Sequence, residues 1–313
     1  MKRSDAAVYR CPQSGEKLRL EAEIADAASE EILSGRFMAD SGNKYPIDDG
    51  IPDFSYPFEL GSDDKKSRQE YNSASGEYDE MQKVTFSILR QDEDSFRRAM
   101  AEQLRLKKRS VVLETAAGTG LNIPYITEAL AGEGNIHVQD ISCPMLKQSR
   151  KYDNRSLRVN IHRSVGNAAY LPFADKYFDA VLSFGGIGVF SEQKRAIQEM
   201  VRVVKVGGRI VFGDEGVAPW LRESEYGMKL MSNNHLYSAQ PPIGYLPVEA
   251  REVSVSWIMN GAFYLIALTV GEGEPEADFD YPIPGRRGGT INTRYNGRLK
   301  GASKGADKSG EES

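Results

Sequence analysis

Short apolar runs alternate with helical patterns between residues 110 and 270 of this chain. The apolar runs predict five strands, at 110–115, 135–140, 157–163, 178–184 and 208–214. Between the last two, a helical pattern at 191–205 places its apolar residues on one face: Ala196, Ile197, Met200, Val203 and Val204. Strands that alternate with helices predict an α/β fold with a doubly wound, mostly parallel sheet.

The final two apolar runs of this region, VSVSWIM and AFYLIALTV, are separated by Asn260 and Gly261. Both residues tolerate positive φ, so the pair predicts an antiparallel β-hairpin. With the five earlier strands, the hairpin gives a seven-stranded sheet that is parallel except at its end.

Outside residues 110–270, the chain divides by composition into three further segments. Residues 1–58 are turn-rich and predict a small N-terminal domain. Residues 59–109 are polar with apolar positions at helical spacing, which predicts a helical lid or linker before the main domain at 110–270. Residues 271–313 are poor in apolar side chains and predict an arm followed by a disordered tail.

The charge and the composition of the chain argue against several classes of function. The chain has 40 basic and 45 acidic residues, a net charge of −5 and a pI near 5.5, so it has no global attraction to nucleic acid or to an anionic membrane. Two cysteines are too few for a disulfide framework. There is no apolar signal segment in the first 20 residues, and the run at 262–270 is too short to span a bilayer. We therefore expect a cytoplasmic protein without membrane insertion.

The stretch VVLETAAGTGLN at 111–122 predicts a ligand-binding loop, because small residues after a strand let a ligand approach the backbone. A phosphate-binding P-loop needs Lys-Ser/Thr after the last glycine, where this chain has Leu121-Asn122. A dinucleotide fold needs a third glycine where this chain has Ile123 or, in the other register, Leu121. S-adenosylmethionine is the remaining ligand class that such a loop binds.

The segment ETAAGTG resembles the first motif of Rossmann-like S-adenosylmethionine-dependent methyltransferases, with Ala116 where many members have glycine. The resemblance continues in order through VQDISCPML, VGNAAYLPFADKYFDAV, FDAVLSFGG and MVRVVKVGGRIVFGDE, and covers about residues 110–270. The most similar members are the ubiquinone/menaquinone-type methyltransferases, which act on small molecules. The resemblance therefore implies S-adenosyl-L-methionine as the cofactor and a small-molecule substrate.

The resemblance also implies roles for individual residues. Asp140 would bind the ribose hydroxyls, Asn167 and Ala168 would lie beside the adenine, and Glu114 would attract the methionine ammonium, directly or through water. For the two acids, the structural alternative is a helix N-cap or a loop turn. The full set of expected cofactor-binding residues is Glu114, Ala116, Gly118, Gly120, Asp140, Ile141, Met145, Asn167, Ala168, Ser183 and Tyr78.

The N-terminal segment, with YRCPQSGEKL and FMADSGNKYPIDDGIPDF, resembles the zinc-ribbon domain of a methyltransferase activator subunit. That domain has four cysteines. Here only Cys11 is present, and Ser14, Met38 and Ser41 occupy the other ligand positions. One thiol cannot hold structural zinc, so we predict no metal and expect the segment to depend on its apolar residues, namely Leu18, Phe37, Tyr45, Ile47, Ile51 and Phe54.

Candidate catalytic residues lie after the fifth predicted strand, beyond the carboxyl edge of the sheet. Asp214 ends that strand, and His235 follows in the same variable region. His235 is the candidate general base because the ordinary pKa of histidine is near neutrality. His137 and His162 fall within predicted strands and are interpreted as structural. Tyr71 and Tyr78, ahead of the first strand, belong to the predicted lid; the alternative for them is a solvated helix.

The C-terminal arm carries Arg286, Arg287, Arg294 and Arg298. These arginines could bind an anionic substrate or dock on a second copy of the chain, which would give a homo-oligomer, or they could belong to a solvated arm. Two other functions compete with small-molecule methylation: an RNA methyltransferase and a catalytically silent partner protein. The sequence leaves open the methyl acceptor, the atom methylated (oxygen, nitrogen or carbon) and the oligomeric state.

Overall fold

The structure is a computed structural model that describes residues 1, 3–26, 31–154, 156–285 and 288–293. The chain forms two compact units, Met1–Glu272 and Gly273–Ser313. In the second unit, the Asn292 side chain donates to Asp280 Oδ1 at 2.8 Å. The four arginines predicted to form a basic arm, and the predicted disordered tail, lie outside the described residues.

The N-terminal part of the first unit is an antiparallel sheet. Its strands, in spatial order, are β1 (Arg19–Asp26), β2 (Glu31–Met38), β3 (Lys44–Asp48) and β4 (Ile51–Pro52). Tyr9 packs between rings of both parts of the unit: its centroid is 5.4 Å from that of Phe37 and 5.6 Å from that of Phe173. The small sheet therefore shares its apolar core with the larger one.

Three helices follow, in the region predicted to be helical. They are α1 (Ser62–Ala74), α2 (Tyr78–Ile88) and α3 (Glu93–Glu102). The Asp92 side chain caps α3 by accepting the Ser95 N–H at 2.9 Å. Helix α1 is polar along its whole length, and Asp64 is its one buried residue. The predicted boundaries between the four segments stay predictions.

The large sheet has seven strands, as predicted. They are β5 (Val111–Thr115), β6 (Glu133–Asp140), β7 (Arg158–Val165), β8 (Phe178–Phe184), β9 (Val204–Glu215), β10 (Ala250–Ile258) and β11 (Phe263–Val270). Four further α-helices of the described residues lie between these strands in the chain: α4 (Ile123–Ala129), α5 (Cys143–Gln148), α6 (Gln193–Val203) and α7 (Glu225–Asn233).

The strand order is β10-β11-β9-β8-β5-β6-β7, and the pairs from β9 to β7 are parallel. The chain starts in the middle at β5, fills one side with β6 and β7, and then crosses to β8 and β9. The carboxyl ends of β5 and β8 therefore form the switch point where ligands bind in such sheets. The predicted α/β fold with a mostly parallel sheet is confirmed.

The predicted hairpin is also confirmed. β10 and β11 pair antiparallel, with Ile258 opposite Phe263, and β11 is antiparallel to β9. Asn260 and Gly261 adopt φ of 56° and 79°, as their residue types allow. The connection is longer than a two-residue turn because Met259, at φ 50°, also leaves the ladder.

Candidate active site

The loop after β5 has a backbone that favours glycine. Gly118 and Gly120 have φ of 54° and 79°, in the left-handed region, and Ala116 adopts φ 54° despite its side chain. A Cβ at Gly118 would contact the ring of Tyr78 at 3.6 Å. Because Gly118 has no side chain, the space between its backbone and that ring stays open. A Cβ at Gly120 would lie 2.6 Å from Ile123 Cδ1, so this glycine serves packing.

A cavity opens beside this loop, at the carboxyl ends of β5, β6, β7 and β8. The lining residues are Asp64, Ser67, Tyr71, Tyr78, Thr115, Ala116, Gly118, Gln139, Asp140, Ile141, Met145, Gly166, Asn167, Ala168, Gly185, Gly186, Val189 and Phe190.

Asp140 ends β6 and lines the cavity. Its Oδ2 accepts the Gly118 N–H at 2.8 Å, and its Oδ1 accepts the Ser142 N–H at 2.8 Å. Burial raises the pKa of this carboxyl to about 6, although these two backbone hydrogen bonds oppose the increase. A carboxylate has about four acceptor positions, so Asp140 can still accept hydroxyl donors from a ligand.

Glu114 lies one residue before the end of β5 and is buried beneath the loop rather than in the cavity lining. Its Oε1 accepts from Asn122 Nδ2 at 2.7 Å, and no described residue is bonded to its Oε2. Burial raises the pKa of Glu114 to about 7. An orphaned buried carboxyl oxygen at this point fits a cationic ligand group, reached directly or through water.

Asn167, after β7, joins the cavity floor to helix α1. Its Oδ1 accepts the Ala169 N–H at 2.9 Å, and its Nδ2 donates to Asp64 Oδ2 at 3.0 Å. Asp64 Oδ2 also accepts from Ser191 Oγ at 2.7 Å. The start of α1 is thus held over the loops that follow β7 and β8.

Further contacts hold α1 against the loop after β6 and α2 against the loop after β5. Ser142 Oγ donates to Asn72 Oδ1 at 2.7 Å, and Thr119 Oγ1 donates to Asp79 Oδ1 at 2.6 Å. Lys151 forms an ion pair with the other oxygen of Asp79. Tyr71 of α1 and Tyr78 of α2 both line the cavity. That the two helices act as a lid stays a prediction.

The two predicted catalytic residues lie outside the cavity lining. Asp214 is buried, and its Oδ2 accepts the Gly188 N–H at 2.6 Å, one residue from the lining residue Val189. Burial and the adjacent Glu215 raise its pKa well above the usual range. His235 is exposed, at the start of a short 3-10 helix, His235–Ser238.

The structure brings eight of the eleven expected cofactor-binding residues into one cavity: Tyr78, Ala116, Gly118, Asp140, Ile141, Met145, Asn167 and Ala168. Glu114, Gly120 and Ser183 lie behind the lining, in the packed layer beneath it. Sequence reasoning did not assign Asp64, Gln139 or Phe190 to the site. The sequence did not distinguish Asp64 from its neighbours, because most residues of α1 are polar. The pair Gly185-Gly186, shortly before Phe190, did indicate a place where a ligand can approach the backbone closely.

At the N-terminal ribbon-like positions, Cys11 is buried with its Sγ 3.1 Å from Tyr45 Oη. Ser14 donates to Glu16 Oε1 at 3.0 Å, and the Ser41 N–H approaches the same oxygen at 3.3 Å. Hydrogen bonds thus link positions that would be ligands in a zinc ribbon. The resemblance of this segment to a zinc ribbon stays a prediction.

His137 and His162 lie on paired strands and stack with ring centroids 4.4 Å apart. His162 Nδ1 is 3.3 Å from Asp5 Oδ2. His137 is buried, and no described residue is bonded to its Nδ1. Burial, and next the proximity of His162, lower the pKa of His137 well below its ordinary value.

Comparison with known proteins identifies the family. The model of the ubiE/COQ5 methyltransferase family matches residues 60–227, which is more than half of the chain. A demethylmenaquinone methyltransferase of Thermobifida fusca is 32% identical over 175 residues, covering 55% of this chain and 72% of that protein. The ubiquinone/menaquinone biosynthesis C-methyltransferase UbiE of Serratia proteamaculans is 29% identical over 143 residues, and the match spans only 55% of its length.

Similarity to solved structures is weaker. A chain from the complex of the Haloferax volcanii Trm112 methyltransferase activator with a methyltransferase has 12% identity and a TM-score of 0.47, with 67% of this chain and 99% of that chain covered. No helix within the described ranges has the length and apolar character needed to cross a membrane. The chain belongs to the ubiE/COQ5 methyltransferase family, and it is an S-adenosylmethionine-dependent methyltransferase of small molecules.

Proposed function

We propose that this chain methylates a carbon atom of a small aromatic acceptor of the quinol class. The names of the Thermobifida and Serratia relatives supply the acceptor class and the carbon selectivity. The observation that carries the proposal is that Tyr71, Tyr78 and Phe190 line the same cavity as Gly118 and Asp140. Aromatic side chains pack well against a flat ring and attract a cationic sulfonium.

The chemistry requires alignment in a dry cavity and a place for one proton. S-adenosylmethionine, held between the loop of Gly118 and the carboxyl of Asp140, would supply an electrophilic methyl group and leave as S-adenosylhomocysteine, and the acceptor would give up one proton in exchange for the methyl group. We assign Asp214 to hold that proton. Burial raises the pKa of its carboxyl and so favours the form that holds a proton, and its hydrogen bond to Gly188 places it next to the lining.

Tyr71 has a different role in this proposal. Burial, and next the charge of Asp214, raise the pKa of Tyr71 to about 12, so its hydroxyl remains a hydrogen-bond donor at neutral pH. From the cavity wall it can orient an oxygen of the acceptor. His235, which is exposed, has no part in this arrangement, although its predicted catalytic role is open to test.

The first experiment is a calorimetric titration with S-adenosylmethionine and S-adenosylhomocysteine, using wild type and Asp140→Ala. We expect micromolar binding that the variant loses. If folded wild type binds neither ligand, the assignment of this cavity as the cofactor site fails.

The second experiment incubates the protein with methyl-labelled cofactor and a reduced, short-chain demethylmenaquinone, and the methylated atom is identified by NMR. We expect a new C–CH3 bond. Asp214→Asn should lower kcat by a factor of about 10² or more while S-adenosylhomocysteine binding is retained, and His235→Gln should leave the rate unchanged. An O-methyl product, or loss of activity in His235→Gln with Asp214→Asn active, would contradict the assignment.

A further inference from the structure

We infer that Asp64, on helix α1, binds the exocyclic amino group of the cofactor's adenine and so determines nucleobase specificity. This inference rests on the proposed function, because it concerns the cofactor of the same site. Asp64 lines the cavity and is 7% exposed, although every other residue of α1 is partly or fully exposed. A buried carboxylate needs partners to offset its desolvation, and those found here are all at one end of the cavity.

The order of the strands places the base at this end. Asp140, the acid at the end of β6, fixes the ribose, as an acid at this position does in nucleotide-binding sheets. The bare loop after β5 lies on one side of it and Asn167, after β7, on the other. With the methionine part over the β5 loop, the base must extend toward Asn167.

This end of the cavity suits a flat, apolar ring with a polar edge. Ile141, Met145 and Ala168 provide apolar surface there. Polar groups come from Asp64 and Asn167, which are bonded to each other at 3.0 Å. The site therefore offers apolar faces and a small number of placed polar groups, as nucleobase sites do.

The hydrogen bonds assign Asp64, and not Asn167, as the acceptor. The Asn167 Oδ1 accepts the Ala169 N–H, which turns its NH2 group toward Asp64 Oδ2. Asp64 accepts three hydrogen bonds, two from Ser191 and one from Asn167. A carboxylate has about four acceptor positions, so one remains for an amino group. The second hydrogen of the Asn167 NH2 can serve a ring nitrogen of adenine.

The test compares S-adenosylhomocysteine with S-inosylhomocysteine, which has a carbonyl oxygen in place of the 6-amino group. Both are titrated calorimetrically into wild type, Asp64→Asn and Asp63→Asn. Asp63 is the matched control, because it is an exposed acid in the same first turn of α1. We expect Asp64→Asn to weaken the adenosyl ligand about tenfold or more and to bind the inosyl ligand better than wild type does, because an amide can donate to the carbonyl. Asp63→Asn should change neither affinity.

Asp64 could instead act only as a latch for α1, and Ser191→Ala separates the two roles. The Ser191→Ala variant removes the hydrogen bond from Ser191 Oγ to Asp64 but keeps the Asp64 carboxylate. The ratio of the affinities for the adenosyl and inosyl ligands should therefore stay at the wild-type value, even if both affinities fall. Equal weakening of both ligands by Asp64→Asn would overturn the inference and leave the proposed function intact. Absence of adenosyl binding by wild type would overturn both.

Discussion

The affinity of the site for S-adenosylhomocysteine should fall as the pH decreases from 7 to 5, because Asp140 takes up a proton. Ribose hydroxyls are donors, so they require the ionised carboxylate, whereas burial raises the pKa of Asp140 in the free protein to about 6. The ionised fraction then falls from about nine-tenths at pH 7 to about one-tenth at pH 5, which corresponds to about a tenfold loss of affinity. The ammonium and carboxylate of the ligand keep their charges in this range.

Glu114 must be removed from the measurement, since its pKa is about 7 and its titration overlaps that of Asp140. The assay is therefore calorimetry at pH 5, 6 and 7 on Glu114→Gln and on the double variant with Asp140→Asn. We expect the tenfold pH dependence in the single variant and none in the double variant, which should bind more weakly at every pH. Circular dichroism at each pH verifies the fold. The same pH dependence in both proteins would refute the role of Asp140.

Three other predictions concern packing, pH and the lid. Gly120→Ala should reduce the free energy of unfolding in urea by about 1–3 kcal/mol more than Gly15→Ala, because both have positive φ but only the Gly120 Cβ would meet other side chains; equal losses would contradict this. His137 is neutral in the folded state and gains a proton when unfolded below pH 6.5, so stability should fall with decreasing pH by up to about 1.4 kcal/mol per unit, and His137→Phe should have a smaller slope. Asn72→Ala should speed S-adenosylhomocysteine dissociation about 2–10-fold in stopped-flow measurements, because the bond to Ser142 is lost; an unchanged rate would mean that α1 does not limit release.

The fold, and the part of the site formed by residues at the carboxyl ends of the strands, could be predicted because each depends on short stretches of sequence. Each apolar run is long enough to be a buried strand, and the acid or small residues that follow it are fixed at the carboxyl edge by the strand itself. Gly118 and Asp140 reach the cavity in this way and are joined there at 2.8 Å. Such residues need only the correct strand, and not the correct tertiary packing, to be placed.

The part of the site formed by helix α1 depends on contacts between residues that are far apart in the sequence. Asp64 is 103 positions from Asn167 and 127 from Ser191, and these partners alone explain why an acid in a polar helix is buried. Periodicity also cannot tell which of two consecutive buried residues faces a ligand: Thr115 lines the cavity, and Glu114 lies beneath it. Long-range pairing decides both cases.

Two departures from the family pattern are explained by neighbours that come from elsewhere in the chain. Ala116 replaces a glycine, and its methyl group lies where a side chain on residue 186 would have to be: a Cβ on Gly186 would be 2.5 Å from it. The missing side chain at Gly186 therefore makes room for the added one at Ala116. Asn167 replaces an aspartate, and the carboxylate of Asp64 lies 3.0 Å from its amide. The extra volume of Ala116 is thus accommodated by Gly186. The negative charge that Asn167 lacks is supplied by Asp64. A motif that departs from its pattern can therefore still form the pocket when the loop after β8, or helix α1, supplies the matching space or charge.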